Sequence, residues 1–167
     1  FITPILKMGT NEQQEKFLSQ YCSSSYPNCS FALNEPYFDF DLTALKTTAS
    51  FEDGKYILNG KKCLVPYADS ANHILVAASL QGKNTFFVVD TNTSGLQITR
   101  REKNMGCWAL PTYEISLDNC ALEQGNCLQP EDENSFDKII QRTRTASAAM
   151  GTGIARASYD LSRENAK

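Results

Sequence analysis

Apolar and polar positions along the chain change period twice, which divides it into three zones. In the first, Thr10 stands three residues ahead of Gln13 in the form of a capping box, and Phe17, Leu18 and Tyr21 follow at helical spacing. This predicts a short helix over Asn11–Cys22, broken by the Ser23-Ser24-Ser25-Tyr26-Pro27-Asn28 run. From about Cys29 to Gln129 the pattern becomes short runs of β-formers. Candidate strands are Lys46–Phe51, Tyr56–Leu58, Lys61–Val65, His73–Ala78, Thr85–Asp90, Leu96–Arg100 and Tyr113–Leu117, with Asp53-Gly54 and Asn59-Gly60 as hairpin turn pairs. So many short strands argue against a parallel α/β fold and predict an antiparallel barrel or sandwich. After Pro130-Glu131-Asp132-Glu133, helical spacing returns through Ile139, Ile140, Thr143, Ala146, Ala149, Ile154 and Ala157, predicting one long helix over Ser135–Asn165.

The expected fold class is therefore α+β, an antiparallel β barrel or sandwich flanked by helices. The boundaries are residues 1–28, 29–130 and 131–167, with both helical parts incomplete. Small residues from Ala146 to Ala157, including Gly151 and Gly153, weaken helix propensity and predict close approach by another helix or a ligand. No companion for that face is evident in the chain, so a longer protein and a homo- or hetero-oligomer are expected.

Composition narrows the function classes. With 167 residues and 41% hydrophobic content the chain can bury one core. A net charge of -3 with interleaved signs provides no basic stripe for nucleic acid. The longest apolar stretch, Ile74–Leu80, is interrupted by Ser79 and is too short to span a bilayer. The opening Phe1-Ile2-Thr3-Pro4 is not a signal peptide, although a chain lacking an initiating methionine says little about targeting. Cys22, Cys29, Cys63, Cys107, Cys120 and Cys127 read as reduced thiols; their spacing and the single histidine, His73, do not make a metal site.

Seven segments occur in a specific order: PILKMGTNEQQEKFL, FALNEP, LKTTA, YILNGKK, FFVVD, REKNMG and PTYEISLDN, followed by QRTRTASAAMGTGIARA. Together they resemble the acyl-CoA dehydrogenase family across essentially the whole chain. The resemblance implies an N-terminal helical domain, a middle antiparallel β domain and a C-terminal four-helix domain, with FAD held between the last two. It implies α,β-dehydrogenation of an acyl-CoA or acyl-carrier thioester, in which a glutamate removes the α-proton and flavin accepts the hydride. It also implies a mitochondrial matrix or bacterial cytoplasmic setting.

Within that resemblance, Phe31, Leu33 and Asn34 fall on the first flavin segment, where Asn34 replaces the usual threonine before Glu35 and Pro36. Leu64, Val65 and Pro66 fall on the second, where the family has an aromatic, an isoleucine and a threonine. Pro66 can donate no hydrogen bond. Tyr37-Phe38-Asp39-Phe40-Asp41 replaces a Gly-Ala-Gly-Ser-Asp turn, so Phe40 stands where a serine meets substrate and Asp39 adds a carboxylate near a pyrophosphate. Trp108 and Leu110 replace a polar pair. On the last helix, Gln141 and Arg144 match substrate-side positions, and Thr143 occupies a position where some members carry the catalytic glutamate. No catalytic base is identifiable. Two readings follow: part of an FAD-dependent acyl-CoA dehydrogenase, or a degenerate member kept as a structural or regulatory subunit without flavin. A third is a thioester-binding module without redox chemistry.

Overall fold

The computed structural model describes residues 1–24, 27–106, 108–129, 132 and 134–166. The chain forms two units, Phe1–Glu131 and Asp132–Lys167. Pro130, Glu131 and Glu133, at the start of the third zone, lie outside the described residues.

The first unit opens with α1 (Ile2–Met8) and α2 (Asn11–Leu18), the latter extended by a 3-10 turn over Ser19–Cys22. The capping box forms as the sequence indicates: the Gln13 N–H donates to Thr10 Oγ1, and the Thr10 N–H donates to Gln13 Oε1. Helix α1 was not legible, because seven residues carry too little periodicity. Gln13 also ties α2 to the sheet by donating to the carbonyls of Gly125 and Cys127.

Eight strands follow among the described residues: β1 (Cys29–Ala32), β2 (Thr48–Glu52), β3 (Lys55–Pro66), β4 (His73–Leu80), β5 (Lys83–Asp90), β6 (Leu96–Arg101), β7 (Thr112–Glu123) and β8 (Cys127–Leu128). They form one open, sandwich-like sheet in the order β6-β7-β3-β2-β4-β5-β8, with β1 alongside β4. Most pairs are antiparallel, but β1 and β2 each pair with β4 in parallel. Strands β4 and β5 carry runs of five consecutive buried residues, so both of their faces are covered. One inner face joins Leu58, Ile74, Val76, Phe87, Val89, Ile115 and Cys120 into the core.

The two expected turns have different fates. Asp53 (φ 47°) and Gly54 (φ 80°) make the tight connection from β2 to β3. Asn59-Gly60 is no turn: β3 continues through it with a register shift against β7 between Leu58 and Gly60, merging two expected strands into one. Gly60 serves packing instead, because a Cβ there would sit 2.6 Å from Thr47 Oγ1 and 2.7 Å from its Cα. A third turn, Gln81 (φ 51°) and Gly82 (φ 81°), links β4 to β5 and lacks the Asn or Asp that advertises such turns.

In the second unit α3 spans Ser135–Asn165, as expected from its period. The hydroxyls of Thr143, Thr145, Thr152, Ser158 and Ser162 each donate to the carbonyl four residues back. The residues from Gln141 to Tyr159 are exposed, including Met150 and Ile154. No helix among the described residues is long and apolar enough to cross a membrane.

Close approach of Thr47 to Gly60 makes a prediction. Gly60→Ala forces β3 away from the Thr47 backbone and lowers stability by about 1–3 kcal/mol, read as a fall in the urea midpoint. An unchanged midpoint would show that the contact is slack.

Candidate functional site

The two candidate flavin segments lie far apart in sequence, yet the structure locks them together around one buried ion pair. Glu35 lies three residues past the end of β1 and is 4% exposed; Lys62 on β3 is fully buried at 0%. The Lys62 Nζ donates to Glu35 Oε1 at 2.9 Å and to the Leu33 carbonyl at 3.2 Å. The backbone N–H groups of Lys46 and Thr47 donate to the two Glu35 oxygens, each at 2.8 Å. One carboxylate therefore gathers β1, the approach to β2, and β3. Two further bonds complete the seam: the Cys63 N–H donates to the Asn34 carbonyl at 3.0 Å, and the Ser30 hydroxyl to the Pro66 carbonyl.

Electrostatics follow from this geometry. Burial disfavours a charged Glu35, but hydrogen bonds from Thr47, Lys46 and Lys62 outweigh it and hold its carboxyl below the ordinary value. Burial pulls Lys62 downward, with Glu35 opposing that shift. Each group is the other's compensation for burial.

Beyond Lys62 the strand bulges: the β3–β7 register shifts between Lys62 and Val65, and Leu64 takes φ 54°. The bulge puts Lys62 and Val65 inward and turns Leu64 outward, 46% exposed. Leu64 donates its N–H to Glu102 Oε2 at 3.0 Å, and the Tyr67 N–H goes to the Pro111 carbonyl. The second segment thus presents apolar surface and few donors. The side chain of Val65, expected at the cofactor, lies wholly in the core.

Of the first segment, Phe31, Leu33 and Asn34 are half-buried. The Phe31 ring packs 5.7 Å from Phe86. The Asn34 side-chain amide makes no hydrogen bond among the described residues. Phe40 is half-buried in a turn closed by its N–H on the Tyr37 carbonyl. Asp39, the carboxylate added at this turn, is partnered: Lys46 Nζ approaches its oxygens at 2.7 and 2.9 Å and stands 4.5 Å over the Tyr37 ring. Lys46 holds the Asp39 carboxyl below its usual value, so its repulsion toward a phosphate is softened by the adjacent ammonium.

Gln141, Thr143 and Arg144 belong to the second unit, on α3. Thr143 spends its hydroxyl on the Ile139 carbonyl. His73, read as a strand-entry residue, does open β4; burial lowers its pKa, and its Nδ1 is buried without a partner among the described residues. Cys22, Cys29, Cys63, Cys120 and Cys127 are free thiols.

Comparison with known proteins places this architecture. Residues 30–120 match the model for the acyl-CoA dehydrogenase middle domain. An acyl-CoA dehydrogenase of Bacillus subtilis is 30% identical over 98% of this chain and 45% of its own length. The mitochondrial short-chain specific acyl-CoA dehydrogenase of Sus scrofa is 31% identical over 96% of this chain and 40% of its own. A glutaryl-CoA dehydrogenase from Mycobacterium smegmatis, solved in complex with FADH2, superposes with a TM-score of 0.71 at 25% identity, covering 78% of this chain and 34% of that one. The chain belongs to the acyl-CoA dehydrogenase family. It spans less than half the length of these relatives.

The Glu35–Lys62 pair yields a prediction with two parts. Lys62→Met strands a buried carboxylate and destabilises the fold by about 3–5 kcal/mol, whereas Glu35→Gln with Lys62→Met costs less than that single change. Because the folded pKa of Glu35 is depressed, its contribution is present at neutral pH and is lost as pH falls through the folded value. Urea midpoints should therefore drop on acidification below about pH 4, and drop less in Glu35→Gln. Equal acid sensitivity of the two proteins contradicts this assignment.

Proposed function

We propose that this chain is the middle part of an FAD-dependent acyl-thioester dehydrogenase that acts on an acyl-CoA or acyl-carrier substrate. One observation carries the reading: a single buried ion pair holds both flavin segments in register. Such an investment in buried charge is explained by a need to keep the two segments fixed with respect to each other. The residues fit a flavin in part. Asn34 offers a free amide and Leu64 an outward apolar face. When bound, the flavin supplies the hydride acceptor. This chain's own share is to position it through Phe31, Leu33, Asn34 and the backbone of Leu64 and Val65, and to exclude water with the Leu64 side chain. Phe40, Gln141 and Arg144 are the proposed substrate-side residues: Arg144 offers a cation, Gln141 a neutral donor and acceptor, and Phe40 an apolar wall in place of a hydroxyl. The α-proton is removed by a group beyond these positions, because Thr143 has no basic side chain.

The second reading, a degenerate subunit with structural or regulatory duty, is favoured by Pro66. It can give no hydrogen bond, and its neighbours Cys63, Leu64 and Tyr67 have committed their N–H groups inside the protein. In either reading the exposed Ala146–Ala157 stretch of α3 is proposed to pack on helices of the rest of the protein or of another subunit. A mitochondrial or bacterial cytoplasmic setting is part of this proposal; the relatives compared are one mitochondrial and one bacterial enzyme.

The visible spectrum of the purified full-length protein separates the readings. Bound oxidised flavin, bleached by an acyl-CoA, supports the enzyme. A colourless, folded protein that gains flavin only after Tyr37→Gly, Phe38→Ala, Asp39→Gly, Phe40→Ser and Pro66→Thr supports the degenerate subunit and overturns the enzyme.

A further inference from the structure

The β3 bulge leaves a backbone donor outside the strand ladder, and the group that takes it is charged. The register of β3 against β7 shifts between Lys62 and Val65, and Leu64 holds φ 54° inside that shift with no partner on β7. Its N–H donates instead to Glu102 Oε2 at 3.0 Å. Glu102 stands one residue past β6 and is itself fixed, since its own N–H donates to the Thr112 carbonyl on β7 at 2.9 Å. A non-glycine residue in the left-handed region is a cost that its surroundings must over-determine, and this bond from another strand end does so. The N–H needs only an acceptor, which an amide, a hydroxyl or a carbonyl supplies without charge. A full negative charge is more than the bond requires.

That charge is not matched by a cation. Glu102 is half-buried and forms no ion pair among the described residues, while its sequence neighbours Arg101 and Lys103 are exposed. Two other carboxylates act on the same stretch, and both are matched: Glu114 by Arg100 at 2.7 Å and Glu35 by Lys62 at 2.9 Å. Cys63, the residue before Leu64, registers the imbalance. Burial pushes its thiol up, and the Glu102 carboxylate adds the next largest push, ahead of Glu114. The second segment therefore lies in a negative field for which one carboxylate is chiefly responsible.

We propose that Glu102, held beside Leu64 by this bond, sets the reduction potential of the flavin at the second segment and makes that flavin harder to reduce. The inference rests on the enzyme reading given above, in which Leu64 lies against the flavin. Uptake of a hydride brings two electrons and one proton, so the reduced ring carries one negative charge more than the oxidised ring, and a fixed carboxylate nearby opposes that gain. Glu102 acts through its place beside Leu64 and is a positioning residue, not a catalytic one.

The test is the reduction potential of the flavin in the full-length protein, read by dithionite titration against a reference dye. Three proteins are compared: the unaltered one, Glu102→Gln, and Arg100→Gln with Glu114→Gln. Glutamine keeps an acceptor for the Leu64 N–H and removes only the charge. In Glu102→Gln the reduction equilibrium is expected to move toward reduced flavin by about 3- to 10-fold, which for a two-electron couple is about 15–30 mV more positive. The double variant removes a matched pair and leaves the potential unchanged. An unaltered or more negative potential in Glu102→Gln, or an equal shift in the double variant, overturns the inference; in each case the protein is yellow and the enzyme reading stands. Loss of flavin from Glu102→Gln also overturns it, because the charge would then serve binding and not potential. A colourless unaltered protein removes the enzyme reading and this inference with it.

Discussion

A lysine ammonium and a glutamate carboxylate, both cut off from water, set the terms for the rest of the first unit. Taking each charge out of water costs several kcal/mol, recovered only if its remaining hydrogen-bonding capacity is filled. Glu35 fills it with two backbone N–H groups and one ammonium, and Lys62 adds the Leu33 carbonyl. Those partners come from three separate stretches. The pair therefore cannot form until β1, the approach to β2, and β3 are all in place, and it fixes their register once they are. A hydrophobic pair could fill the same volume, but it would not choose one backbone arrangement by its hydrogen bonds.

The site inherits this rigidity. The bulge after Lys62 turns Leu64 outward and leaves Val65 in the core, so the second segment meets a ligand through one side chain and its backbone only. On the first segment the same carboxylate orders Lys46, whose side chain then reaches Asp39 and Tyr37. Replacement of a glycine-rich turn by Tyr37-Phe38-Asp39-Phe40 thus brings its own compensation, supplied by a residue that the ion pair positions.

Sequence reasoning read period well and three-dimensional partnership poorly. The 31-residue α3 and the Thr10–Gln13 capping box were legible because both depend on neighbours three or four positions away. Asn59-Gly60 misled because an Asn-Gly pair advertises a turn, whereas Gly60 is required by the approach of Thr47, just ahead of β2. The parallel pairing of β1 and β2 with β4 leaves no local trace at all. Glu35 stands in a recognisable motif, but its partner Lys62 lies 27 residues away on another strand. A signal was available: Tyr56, Leu58, Gly60 and Lys62 alternate on one face of β3, so a lysine stands at an inward position and demands a buried carboxylate. Glu102 carried no such signal, since its role on the Leu64 N–H arises from the fold bringing two distant connections together.

Amide hydrogen exchange in Lys62→Met, compared with the unaltered protein, tests most directly whether the pair couples the two segments. The predicted result is faster exchange at Lys46, Thr47 and Cys63 together, with the β4–β5 core of Ile74–Ala78 and Phe86–Val89 unchanged in order of protection. Exchange that quickens at one segment alone, or at neither, would contradict the account.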